Sequence, residues 1–147
     1  MPMKSGRVRW IILTVLVLLT AALTVLYLNT REKIPADTVL VTQGGERRYI
    51  AAADLARQTV KGNVVNAKGE VRQIDARGMR LADLAEGAAF SEIFAVSDDE
   101  YSARITPEDA DNAYLILRDD GTVRLIVFGD ENAKRDVKNV VRITIEP

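Results

Sequence analysis

The sequence predicts an α+β protein in which one N-terminal transmembrane helix precedes a strand-dominated domain with short helices. Three observations carry this prediction. Residues 10–28 are apolar and contain no charged side chain. Beyond residue 37, β-branched and alternating segments are separated by Gly-Gly, Asn-Ala-Lys-Gly and Asp-Asp-Gly turns. The chain also has no cysteine and no histidine, which limits the chemistry it can perform.

The apolar run needs about 1.5 Å per residue as a helix, which brings residues 10–28 close to the roughly 30 Å thickness of a bilayer core. A helix satisfies its own backbone hydrogen bonds there. Thr14, Thr20 and Thr24 are its internal polar side chains, and each hydroxyl can bond back to the preceding turn. Trp10 and Tyr27 stand near opposite ends, where aromatic rings favour the interface. Lys4, Arg7 and Arg9 precede the run without an acidic residue, so the tail is expected in the cytoplasm. The predicted layout is a cytoplasmic tail at 1–9, the transmembrane helix at 10–28, a tether at 29–36 and an extracytoplasmic domain at 37–147. A cleaved signal peptide is the competing reading. Its apolar core is usually shorter and ends at an Ala-x-Ala-like site, whereas this run ends Val-Leu-Tyr-Leu-Asn-Thr.

Of 20 basic and 21 acidic side chains, three basic ones precede the apolar run. The remainder carries 17 − 21 = −4, a balance unlike a nucleic-acid surface. Without cysteine there is no disulfide, thiolate nucleophile or thiolate metal ligand. Without histidine, Ser-His, Cys-His and His-based zinc chemistry are excluded.

The segments after the tether read in order. Residues 38–43 and 46–50 form a hairpin about Gly44-Gly45. Residues 51–59 hold good helix formers and predict a short helix. Val64-Val65 and residues 71–76 flank a turn at 66–69. Residues 80–86 predict a second short helix ended by Gly87. Residues 93–96 read as a central strand, 98–100 as a turn and 101–105 as a half-buried strand. Thr106 and Pro107 mark a helix start. Residues 114–117 and 123–128 form strands about an Asp119-Asp-Gly121 turn, 132–139 a polar connector with room for one helical turn, and 141–145 the last strand.

Two segments, Gly78-Met-Arg-Leu-Ala-Asp-Leu84 and Asp98-Asp-Glu-Tyr-Ser-Ala103, stand in this order with an Asp-Gly hairpin, Arg-Leu-Ile-Val and Val-Lys-Asn-Val-Val-Arg-Ile. Together they resemble the sulfite-oxidase-type molybdopterin-binding domain of oxidoreductases, in a small membrane-anchored form, over about residues 38–146. The resemblance implies that fold and makes a molybdopterin cofactor possible. It also implies a cysteine thiolate on the molybdenum, which this chain lacks, and Glu100 replaces the glycine of the family's Asp-Gly-Tyr turn.

Arg77, Arg80, Lys134, Arg135 and Lys138 are the candidate contacts for an anionic ligand, because Arg offers paired donors to phosphate. Lys134, Arg135 and Lys138 could share a helical face. Arg47 and Arg48, adjacent on a strand, point to opposite faces and cannot form one clamp. The acidic clusters fall at turns and lack a calcium-loop pattern, so no metal site is expected. The expected function is a non-catalytic binding or assembly module, with no cofactor and with a membrane or envelope protein as partner. The alternative is a molybdopterin-dependent oxidoreductase component that holds its cofactor without cysteine.

Overall fold

The computed structural model describes residues 5–30 and 34–147. The chain divides into two compact units at Lys33–Ile34, and each is described by itself. The first contains helix α1, Ser5–Thr30, whose length and composition suffice to cross a membrane or serve as a signal sequence. It is longer than the apolar run because helical geometry continues through Arg7 and Arg9. Thr14, Thr20 and Thr24 donate to the carbonyls of Trp10, Leu16 and Thr20 at 2.8–2.9 Å, so their polarity is satisfied within the helix.

The second unit is a strand-rich α+β body of two sheets. Its strands are β1 Thr38–Gln43, β2 Glu46–Ala51, β3 Gln58–Val65, β4 Val71–Arg80, β5 Glu92–Ser97, β6 Ser102–Ile105, β7 Ala113–Leu117, β8 Val123–Val127 and β9 Val140–Glu146. One sheet has the order β2-β1-β9-β5-β6, the other β3-β4-β7-β8. β9 lies in the middle of the first sheet, parallel to β1 and antiparallel to β5. The apolar segment 93–96 is therefore interior, but the centre belongs to the alternating final strand. Val39, Val41, Ile93 and Ile143 from the first sheet meet Met79, Leu115 and Leu125 from the second in one core. Fully burying each such side chain stabilises by about 1.5–3 kcal/mol.

Of the three short helices the sequence predicts, two are single 3-10 turns, Ala52–Leu55 and Leu81–Ala85, and the third is the four-residue α2, Pro107–Ala110. The predicted 51–59 helix is cut to Ala52–Leu55, and its last residues join β3. The Arg57 amide bonds the Gly78 carbonyl at 3.1 Å, and Gln58 begins an eight-pair ladder with β4. A helix of that length gains little in water, whereas the ladder pairs the backbone groups of β3 that face β4. For the same reason β4 extends past residue 76 and runs through Gly78, where a Cβ would stand 2.1 Å from the Leu115 carbonyl oxygen of β7. Glycine allows that close approach.

On its other face the second sheet carries a smaller cluster of Val60, Val64, Ile74, Ile116 and Ile126. Phe128, just beyond β8, packs edge-on to Tyr114 and lies over Gly62 of β3. β3 and β8 are opposite edges of this sheet, and the Phe128 ring reaches across its face to Gly62. Gly78→Ala is expected to lower the unfolding free energy of the detergent-solubilised chain by about 3 kcal/mol, because backbone must move. Gly62→Ala should cost about 1 kcal/mol, because a ring can shift instead. Urea unfolding followed by circular dichroism measures both, and equal costs would contradict the close β4–β7 contact.

Candidate functional site

The site is built from three connections and the end of one strand. Asn66 shapes the β3–β4 turn: its Oδ1 accepts from the amides of Lys68 and Glu70, both at 2.9 Å. The β5–β6 turn follows a bulge at Val96/Ser97, where Ser97 is buried and its hydroxyl meets the Asp98 carboxylate at 3.0 Å. Asp99 accepts from the Tyr101 amide at 3.1 Å, and its carboxyl is held below the usual range by the Ser97 hydroxyl and then that amide. The third wall is the connector between β8 and β9. The three walls enclose a cleft of about 550 Å³.

The connector contains no helical turn. Val137 exchanges backbone hydrogen bonds with Leu125 at 2.9 and 3.1 Å, which makes it a short extra strand partner along β8. The Tyr101 hydroxyl donates to the Lys134 carbonyl oxygen, tying the connector to the β5–β6 turn. Lys134, Arg135 and Lys138 therefore share no helical face. Arg135 turns away to Asp130 and Asp109, Lys138 lines the cleft, and the Lys134 backbone fills structural roles.

Arg77 and Arg80 lie on β4, distant in role from the connector. Arg77 donates to the Ala56 carbonyl at 3.2 Å and to the Thr59 hydroxyl at 3.4 Å. Arg80 pairs with Asp83 at 3.0 Å, which raises its pKa. Of the five sequence candidates, the structure brings Lys138 alone to the cleft. Arg47 and Arg48 separate as expected: Arg47 is exposed, while Arg48 reaches the Leu84 carbonyl and Glu86.

The residue that sequence reasoning missed is Arg124. It occupies β8, whose five residues are all buried. Its Nε donates to Asp136 Oδ1 at 2.6 Å and a second guanidinium nitrogen to Oδ2, in the fork geometry Arg offers a carboxylate. Only 8% of the Arg124 side chain and 10% of the Asp136 side chain are exposed, so this pair is shielded from water. Arg124 lines the cleft together with Lys68, Arg72, Asp136 and Lys138. A lone arginine inside the apolar run Val-Arg-Leu-Ile-Val was the available signal, since a cation so placed needs a partner.

The chain matches no protein-family model, and no curated protein matches it either.

Arg135 holds the Asp109 carboxyl below its ordinary value of 3.8, chiefly by hydrogen bonding, and its own pKa is raised by Asp130 first and Asp109 next. A carboxyl whose pKa folding lowers contributes stability above its unfolded pKa and loses it as pH falls through the lowered value. Arg135→Gln is expected to cost about 1 kcal/mol at pH 7, because the groups are partly exposed. That deficit should shrink below about pH 4 as the wild-type pair is lost. Urea unfolding of both proteins across that range checks the sign, and a deficit that grows on acidification would contradict it.

Proposed function

We propose that residues 37–147 are an extracytoplasmic, non-catalytic binding or assembly module of the sulfite-oxidase-type molybdopterin-binding kind. One membrane-spanning anchor carries it at the cell membrane, with the N-terminus in the cytoplasm. The reading is supported by the order of segments 78–84 and 98–103 and by the charge bias around residues 10–28. One observation favours binding over catalysis. The arginines expected to hold an anionic cofactor are engaged by the chain itself, Arg80 by Asp83, Arg135 by Asp130 and Asp109, and Arg77 by the Ala56 carbonyl. With no thiolate or imidazole in the sequence, these engaged arginines do not fit a molybdenum cofactor and its phosphate. The partner expected is a membrane or envelope protein rather than nucleic acid.

The first test is elemental analysis for molybdenum, with pterin fluorescence, on the full chain purified in detergent from a host that makes the cofactor. A folded, cofactor-free protein is expected. Stoichiometric metal or pterin would replace this reading with the oxidoreductase alternative. The anchor is tested with tags at both ends. The full-length chain should resist alkaline carbonate extraction, and protease added to intact cells should remove the C-terminal tag and spare the N-terminal one. A mature chain that has lost residues 1–28 would instead identify a cleaved signal.

A further inference from the structure

We propose that Arg124 forms an oxyanion-recognition site that the chain fills with its own carboxylate, Asp136. The Arg124 guanidinium is thereby closed to compact external carboxylates and phosphates. This rests on the reading of the domain as a binding module and specifies the state of its cleft.

Arg124 presents two donors to both oxygens of Asp136, the geometry by which guanidinium recognises carboxylate or phosphate. Burial makes that recognition strong and makes an unpaired Arg124 costly, so the site cannot stand empty of negative charge. The carboxylate comes from the connector, which lines the cleft through Ala133, Asp136, Lys138 and Asn139. Backbone bonds hold it in place: Val137 pairs in both directions with Leu125, and the Asp136 amide bonds the Ala133 carbonyl at 3.1 Å. Asp136 is therefore an intramolecular ligand at an effective concentration of about millimolar or above, and it outcompetes a weak free anion.

The rest of the cleft lining carries three cations and three acids. Lys68, Arg72 and Lys138 make no ion pair or side-chain hydrogen bond among the described residues. The acids of the cleft walls are held by local donors instead: Glu70 by the Asn66 amide at 3.1 Å, Asp98 by the Ser97 hydroxyl, and Asp99 by the Tyr101 amide. A compact oxyanion arriving at the cleft meets these three cations beside three carboxylates, and the paired donors of Arg124 are already taken.

The test is rescue by small anions in the full chain purified in detergent. Asp136→Gly removes the carboxylate and opens its volume. Acetate and inorganic phosphate are titrated at constant ionic strength, with chloride as the balancing ion, and thermal unfolding is followed by circular dichroism. The unfolding midpoint of Asp136→Gly should rise with acetate or phosphate, giving an apparent affinity at least ~tenfold tighter than that of the wild type. Adding Arg124→Gln should abolish the rise. If Asp136→Gly is unfolded alone, recovery of its folded spectrum on adding anion reads the same site, and Asp136→Ser provides a milder variant. The proposal is overturned if neither variant responds, if the wild type responds equally, or if the response survives Arg124→Gln. Copurified molybdenum would overturn the non-catalytic reading and leave this rescue intact, so the two failures are distinguishable.

Discussion

The pairing of β9 with β1 on one side and β5 on the other closes the C-terminal body. Leu40 meets Arg142 and Gln43 meets Ile145, so the first and last strands of the body lie side by side. Joining segments this far apart carries a large loop-closure cost, which the strands recover by burying Val39, Val41, Ile143 and Ile145 together. The interior pairs of the first sheet follow from this junction. It also sets where β9 begins, and therefore where the connector before it must pass.

The connector is the structural origin of the site. It runs beside β8, which would otherwise be an open edge, and Leu125–Val137 pairing covers that edge. Arg124 and Leu125 are neighbours on β8 and divide the work. Leu125 pairs with the connector's backbone, and Arg124 takes its carboxylate. Next to Asp136, Arg135 joins the connector to Asp109 of α2. A segment without helix or long strand is thus held by one buried ion pair, one partly exposed arginine and one backbone exchange. These contacts fix the path of the connector along the cleft despite its irregular backbone.

Legibility from sequence varied with the range of the contacts involved. The hairpin at Gly44-Gly45, the turn at Asn66, the strand at residues 102–105 and the final strand were readable because short-range chemistry decides them. Residues 51–59 were misread because helix propensity is weak, and an eight-pair ladder with β4 overrides it. The strand was read as ending at residue 76, yet it continues through Gly78, whose lack of a side chain admits the β7 backbone. Lys138 was found by charge alone, while Arg124 was missed because one cation in an apolar strand does not reveal its partner.

The amino-acid sequence determined the broad class of this protein and the chemistry closed to it. An uncharged apolar run, alternating strands and the absence of cysteine and histidine are properties of neighbouring residues or of composition, so no folded structure is needed to read them. Tertiary contacts decided which cations remain available. Arg80 and Arg135 pair with the chain's own carboxylates, Lys138 faces the cleft, and Arg124 binds Asp136 twelve residues away. Whether a charged side chain is spent internally depends on which segments folding brings together, and here that was set by β-pairings between distant parts of the chain.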